Sequence, residues 1–101
     1  MTIYEHTSSV TVSAGSVASV TLRVLGGLCQ QVLVRANTAT TVFRANMQDD
    51  NSITRMDWGF HTGELNDIGL NFPMVGRYTF NITNANPNND TFRILLAVQE
   101  K

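Results

Sequence analysis

Few side chains in this sequence have the chemistry of a catalytic nucleophile or a metal ligand. There are two histidines, His6 and His61, and one cysteine, Cys29. Neither histidine has a cysteine, a second histidine or a carboxylate at the spacing typical of metal ligands. Cys29 and His61 could act as a nucleophile and its base only if the fold brought them together. Cys29 follows Gly26 and Gly27 in an alternating segment, so we expect it to be a small hydrophobe.

Asp57 and Glu64 flank the only tryptophan closely enough to suggest acid and base chemistry on a sugar. The strand pattern argues against this interpretation. Met56, Trp58 and Phe60 share one face, whereas Asp57 faces the other way. We therefore predict that Trp58 is a core residue, as in many β-sandwiches, and that Asp57 and Glu64 do not form a catalytic pair.

Two acidic segments, Asp49 to Asn51 and Asn88 to Asp90, could supply oxygen ligands to Ca²⁺. Both also fit ordinary turns, since Asn and Asp side chains hydrogen-bond to nearby backbone, and neither has the pattern of an EF-hand loop. We predict no metal site, no cofactor and no catalytic residues. The protein is therefore expected not to be an enzyme.

The composition limits the classes of partner. The chain has 101 residues, the size of one domain, with 43% hydrophobic residues, 15% charged residues and a net charge of −1. Its arginines are scattered and Lys101 is the only lysine, so we expect no nucleic-acid binding. We also expect no membrane span and no signal peptide. These features predict a protein made in the cytoplasm, whose weakly charged surface is covered by a partner.

Apolar and polar residues alternate over most of the chain, which predicts β-strands. The paired Gly26 and Gly27 predict a hairpin turn, residues 63–69 fit a loop, and Pro73 either ends a strand or lies at a sheet edge. The pattern gives seven or eight short strands, typical of an all-β, antiparallel β-sandwich of jelly-roll-like or Ig-like type. We expect a single domain at residues 14–101, preceded by residues 1–13 as an N-terminal arm or a first edge strand.

The side chains that keep one register along these strands form the predicted core. They are Val20, Leu22, Val32, Val34, Phe43, Trp58, Phe60, Tyr78, Phe80, Ile82, Phe92, Ile94, Leu96 and Val98.

A second set of apolar side chains falls outside this register. The set comprises Leu33, Ile53, Leu95 and Ala97, together with Ile3 and Tyr4 near the N-terminus. Such residues either pack on a second face within the fold or form a contact with another subunit. Ile3 and Tyr4 either belong to an arm that docks on a neighbouring subunit or form the first strand of this domain's own sandwich.

Four segments resemble small β-sandwich structural proteins of tailed bacteriophages, particularly marine ones. They are CQQVLV at 29–34, TATTVF at 38–43, TGELND at 62–67 and GRYTFNITNA at 76–85, and the similarity extends over about residues 15–100. The resemblance implies a capsid decoration (cement) protein on the virion surface, with the major capsid protein or further copies of itself, often as a trimer, as its partner. It carries over no catalytic residues.

The alternative function is a carbohydrate- or receptor-binding module of a phage tail or a secreted enzyme. A sugar-binding module would require several exposed aromatic side chains that share a groove.

Overall fold

The computed structural model describes residues 2–100, and Met1 and Lys101 lie outside the described range. Within it the chain forms six β-strands and no helix, and therefore no helix that could cross a membrane. The strands are β1 (Thr2–Val12), β2 (Val17–Ala36), β3 (Val42–Gln48), β4 (Thr54–Thr62), β5 (Glu64–Asn84) and β6 (Asp90–Glu100). The all-β antiparallel class is confirmed. The expected number of strands was too high, because β2 and β5 each join segments that the sequence pattern separates.

The strands follow the order β1-β6-β2-β5-β3-β4, and every pair of neighbours is antiparallel. β2 and β5 run through the whole molecule. The C-terminal part of β2 and the N-terminal part of β5 join β6 and β1 in a first layer. Their other halves join β3 and β4 in a second layer. The layers pack face to face, with the rings of Phe43 on β3 and Phe92 on β6 5.2 Å apart at 63°.

The paired glycines of β2 form a β-bulge, so the predicted hairpin turn at Gly26 and Gly27 is wrong. Val24 pairs with Gly76 and Gly27 pairs with Met74, which leaves two residues of β2 opposite one residue of β5. An extra residue of this kind bends and twists a strand without ending it. Here it carries β2 from the second layer into the first.

β5 also corrects the predicted chain path. Residues 63–69 are not a loop, because the strand runs without interruption from Glu64 to Asn84 and includes Pro73. β3 pairs only with residues 79–84 of β5, so within the described chain no strand pairs with Pro73 on the side away from β2. A sheet edge is one of the two positions that the sequence allowed for this proline, because it has no backbone N–H to donate.

Most of the predicted core is buried. The fully buried members are Val32, Val34, Phe43, Tyr78, Phe80, Ile82, Phe92, Ile94, Leu96 and Val98. Val20, Leu22 and Trp58 are half-buried against this cluster. Phe60 is 64% exposed, so its assignment to the core is wrong.

A bulge in β4 explains the position of Phe60. Ala45 pairs with Gly59 and Asn46 pairs with Asp57, so Trp58 is an extra residue in the ladder, and Gly59 has a left-handed φ of 70°. The bulge reverses the alternation beyond it. Trp58 points inward, whereas Phe60 points outward, where the Arg44 guanidinium lies 5.9 Å from its ring centre.

The two candidate calcium segments are a turn between β3 and β4 and the bend that leads into β6, and in them Asp49 and Asp90 accept hydrogen bonds from other groups of the chain. One Asp49 carboxylate oxygen accepts the backbone N–H groups of Asn51 and Ile53, at 2.9 and 3.0 Å. Asp90 accepts the Thr41 hydroxyl at 2.6 Å and the Thr38 N–H at 3.2 Å. Among residues 2–100, no group of three His, Cys, Asp or Glu side chains is arranged to hold a metal ion.

Asp90→Asn is expected to destabilise the fold at neutral pH by about 1–3 kcal/mol, because charge-assisted hydrogen bonds are lost at a buried site. Burial alone would raise the pKa of Asp90, but the hydrogen bonds from Thr41, Thr91 and Thr38 outweigh it and hold the pKa below its usual 3.8. The stabilisation is therefore present above that value and is lost as the pH falls through the folded-state pKa. Urea unfolding should show the two proteins converging in acid.

The control for Asp90 is Asp50→Asn in the exposed β3–β4 turn, which should change stability by less than about 0.5 kcal/mol. A constant difference between wild type and Asp90→Asn from neutral pH to about pH 2 would contradict this assignment.

Gly27→Ala is expected to cost about 3 kcal/mol. A Cβ atom at Gly27 would overlap the backbone carbonyl of Gln99 on β6, and that atom cannot move without breaking the ladder. Gly69→Ala is the matched control, because Gly69 has a left-handed φ of 71° but open space around it; it should cost about 1 kcal/mol. Equal urea midpoints for the two variants would show that β6 does not approach β2 this closely.

Candidate binding surface

The two carboxylates considered for catalysis are engaged separately. Asp57 accepts a hydrogen bond from Arg44 at 2.7 Å on the second layer, and Glu64 accepts one from Arg35 at 2.6 Å on the first. The hydrogen bond from Arg44 holds the pKa of Asp57 below its usual range. A carboxyl group with a lowered pKa is ionised at neutral pH and is a poor general acid.

The histidines and the cysteine also have local partners. His6 Nε2 lies 3.2 Å from Glu100 Oε1, and His61 Nε2 lies 3.1 Å from the backbone oxygen of Trp58. Cys29 is buried, and burial raises the pKa of its thiol to about 11. A thiol with that pKa is protonated at neutral pH and is therefore a weak nucleophile.

Trp58 connects the two layers. Its indole stacks on Phe80, with ring centres 6.2 Å apart and planes 6° apart, and its N–H donates to Asp67 Oδ2 at 2.9 Å. Asp67 belongs to the first layer and Trp58 to the second. The hydrogen bond allows the polar edge of a large aromatic ring to lie partly inside the core.

The outer face of the first layer, called the outer face below, gathers most of the apolar residues that fell outside the core register. Leu33 on β2 lies directly opposite Leu95 on β6. Ala97 follows on the same face, opposite Gln31, and Gln31 is opposite Ile68 on β5. Directly opposite residues of antiparallel strands point to the same side of the sheet. These four apolar side chains, called the apolar strip below, therefore lie on one face, with the polar Gln31 between Ala97 and Ile68.

A surface cavity of about 540 Å³ lies at one end of this strip. Its lining includes Thr7, Ser9, Leu33, Arg35, Arg93 and Leu95. The cross-strand row beside the cavity carries two positive charges and one negative charge. Arg93 lies opposite Arg35, and Arg35 lies opposite Glu64. Arg35 is bridged to Glu64, whereas the part of the chain that the structure describes gives Arg93 no carboxylate partner. The cavity thus combines an apolar floor with a positive rim.

The remaining candidate interface residues are divided between locations. Ile3 lies on the outer face, opposite Gln99. Tyr4 points to the opposite side of β1, beside the edge of the core, and is exposed. Ile53 is exposed in the turn between β3 and β4, on the second layer. Four of the six residues thus share one face, and Tyr4 and Ile53 do not.

Within residues 1–13, which the sequence left as an arm or a first edge strand, Thr2–Val12 form β1 and pair with β6 from end to end, and Met1 lies outside the described residues.

Sequence reasoning missed an apolar patch at the bulge of β2. Leu25 is 79% exposed and Val75 is 70% exposed, and together with Leu28 and Pro73 they line a surface cavity of about 1020 Å³. Interpreting Gly26 and Gly27 as a turn concealed this patch. The available signal was the bulky apolar residue on each side of the glycine pair, which is unusual for an exposed hairpin tip.

No protein-family model matches the sequence, and no curated protein matches it either. The fold is similar to solved structures of unrelated sequence. One is PliG of Aeromonas hydrophila, a periplasmic inhibitor of g-type lysozyme, with a TM-score of 0.57 and 10% identity over 94% of this chain and 86% of PliG. Another is the Yersinia pseudotuberculosis-derived mitogen, with a TM-score of 0.52 and 6% identity over 97% of this chain and 88% of the mitogen.

A third similar structure is a family two carbohydrate esterase from Cellvibrio japonicus, with a TM-score of 0.50 and 11% identity. It matches 97% of this chain but only 35% of the esterase. None of these three structures is a capsid protein. At such low identity the similarity shows the fold alone, since one sandwich architecture serves many functions.

The Cys29 thiol should resist alkylation in the folded protein. Iodoacetamide near pH 8 is expected to leave folded Cys29 unmodified and to modify it rapidly in urea, because unfolding removes the burial that raises the pKa. Intact-protein mass spectrometry would measure both rates. Rapid alkylation without denaturant would show that the thiol is accessible and activated.

Proposed function

We propose that this chain is a non-enzymatic protein that binds a partner protein through the outer face, and that it acts as a bacteriophage capsid decoration subunit. The observation that carries the proposal is the apolar strip of Leu33, Leu95, Ala97 and Ile68. Within it Ile68 is 68% exposed, Leu33 and Leu95 are half-buried, and the small Ala97 is buried between its neighbours. An apolar patch on the outside of a sandwich is typical of a protein contact.

The second layer provides an internal comparison. Part of its outer side is polar and satisfies its own hydrogen bonds: Ser19 donates to Asn81 at 2.6 Å, and the Thr21 and Thr79 hydroxyls lie 3.0 Å apart. Val17 and Phe60 are exposed on the same side. Asn81 in turn donates to Asn46 and Gln48. This is the pattern of a solvated face of an antiparallel sheet.

Two further observations support a capsid partner. The resemblance to phage structural β-sandwich proteins covers about residues 15–100, which includes most of the strands that build the outer face. The low fraction of charged residues, 15%, suits a protein that functions while covered. We infer that the partner offers an apolar contact with a carboxylate near it, because Arg93 adds an unpaired positive charge at the end of the strip.

Sugar binding fits the geometry less well. A carbohydrate site needs exposed aromatic side chains that share a surface. The exposed aromatic residues are Tyr4 at the edge of the first layer and Phe60 on the second layer. Phe72 is half-buried, and the Arg55 guanidinium lies 5.3 Å from its ring centre. These rings do not share one surface, so we favour the protein partner.

Leu95→Gln is expected to weaken binding to capsid shells at least about ten-fold, equivalent to about 1.4 kcal/mol. The substitution keeps an uncharged side chain of similar volume and puts an amide into an apolar contact. The measurement is co-sedimentation of the purified protein with undecorated shells of the phage that encodes it. The melting temperature of each variant should be recorded to separate lost binding from lost folding.

The matched control is Val17→Gln, an exposed valine on the outer side of the second layer, which should bind shells like wild type. Equal binding by all three proteins would rule out the outer face as the contact. Failure of the wild-type protein to bind shells, or a reading frame surrounded by no capsid, portal or scaffold genes, would argue against the capsid role itself.

A further inference from the structure

β1 is an open edge strand of unusual regularity. It pairs with β6 residue by residue from Thr2 to Val12, without a register shift. No other strand pairs with its second side within residues 2–100. The strand contains no proline and no lysine, and Glu5 is its only residue with a permanent charge. Natural proteins usually interrupt such edges with charges, prolines or bulges, because an open ladder accepts another strand.

The opposite edge of the sheet has the interruptions that β1 lacks. β4 has nine residues and contains the Trp58 bulge, and its register with β3 shifts again between Met47 and Gln48. Its exposed residues include Arg55 and Asp57. Bulges and charges at an edge prevent a second chain from pairing there. The two edges therefore differ, and β1 is the edge able to accept a strand.

We propose that β1 pairs antiparallel with β1 of a second copy of this chain, with Thr7 opposite Thr7 on a two-fold axis. In this register Thr2 opposes Val12 of the other copy, so the two strands lie side by side along their whole length. At the Val12 end the carbonyl already accepts the Asn84 side-chain amide at 3.1 Å, so the pairing depends on the residues before it. A shift of one residue would exchange the two faces of the sheet. A larger shift would leave backbone groups at both ends unpaired.

The side chains of this register are compatible across the interface. On the core side Tyr4 opposes Val10, which joins an exposed ring to a half-buried aliphatic side chain. On the outer face Glu5 opposes Ser9. No two like charges face each other, which is required because opposed like charges destabilise a strand pair. The contact extends over about 37 Å of strand and joins two sheets into one.

This interface is isologous, so it closes with two copies. It differs from the trimer that the phage resemblance implies. It also uses the edge of the first layer instead of the apolar strip on its outer face. The inference therefore does not depend on the proposed capsid contact, and Leu95→Gln should leave self-association unchanged.

The register can be tested by introducing charges at Thr7, because it is the one residue that lies opposite the same residue of the second copy. Thr7→Lys and Thr7→Glu should each weaken self-association at least ten-fold in sedimentation equilibrium, whereas an equimolar mixture should form mixed dimers. Thr21→Lys, an exposed strand threonine on the second layer, should dimerise like wild type. Because Thr7 also borders the cavity on the outer face, the readout is molecular mass and not shell binding.

A second variant distinguishes a loss of self-association from a loss of folding. Ser9→Glu puts a carboxylate opposite Arg93 within its own chain, which favours the fold, but opposite Glu5 of the second copy, which disfavours the dimer. We expect an unchanged or higher melting temperature together with weaker self-association. A wild-type monomer, a trimer, or a dimer that none of these charges weakens would overturn the proposal, and a failure of the Lys and Glu mixture to recover would overturn the register.

Discussion

The antiparallel ladder between β2 and β5 is the interaction on which the rest of the structure depends. Each of these strands belongs to both layers, and every other strand is attached to one of them directly or through a neighbour. The bulge at Leu25 and Gly26 bends this ladder between the layers. Because the same two strands continue on both sides of the bend, the layers are connected by backbone hydrogen bonds as well as by the core that they enclose.

Alternation of apolar and polar residues was sufficient to predict the fold class and most of the core. Phe80, Ile82, Phe92, Ile94 and Leu96 are buried as expected, because a period of two identifies a strand with one buried face. The incorrect predictions of chain path and of side-chain direction lie at or next to glycines. A glycine pair supplies the same backbone freedom to a hairpin turn and to a bulge, so Gly26 and Gly27 could not reveal that β2 continues. The bulge before Gly59 reversed the face of Phe60 for the same reason.

The candidate surface could be predicted only in part. Leu33, Leu95 and Ala97 stood out because they break the polar side of their strands, but their meeting on one face depends on the pairing of β2 with β6. Ile68 could not join that set, since its segment resembled a loop. Strand order is a non-local property, and no local pattern in residues 64–70 indicates which strand lies beside them. The opposite outer side, with its Ser19–Asn81 and Thr21–Thr79 contacts, became informative only once the layers were known.

The adjacency of β1 and β6 has a consequence for how the chain reaches this structure. The two strands lie side by side although almost the whole sequence separates them, and β6 supplies Phe92, Ile94, Leu96 and Val98 to the core. During synthesis β6 follows the other five described strands, so the first layer cannot close until translation has passed it. Such a high contact order predicts slow folding. Until β6 arrives, the apolar faces of β2 and β5 stay exposed in the nascent chain, which makes chaperone association an advantage in the cell.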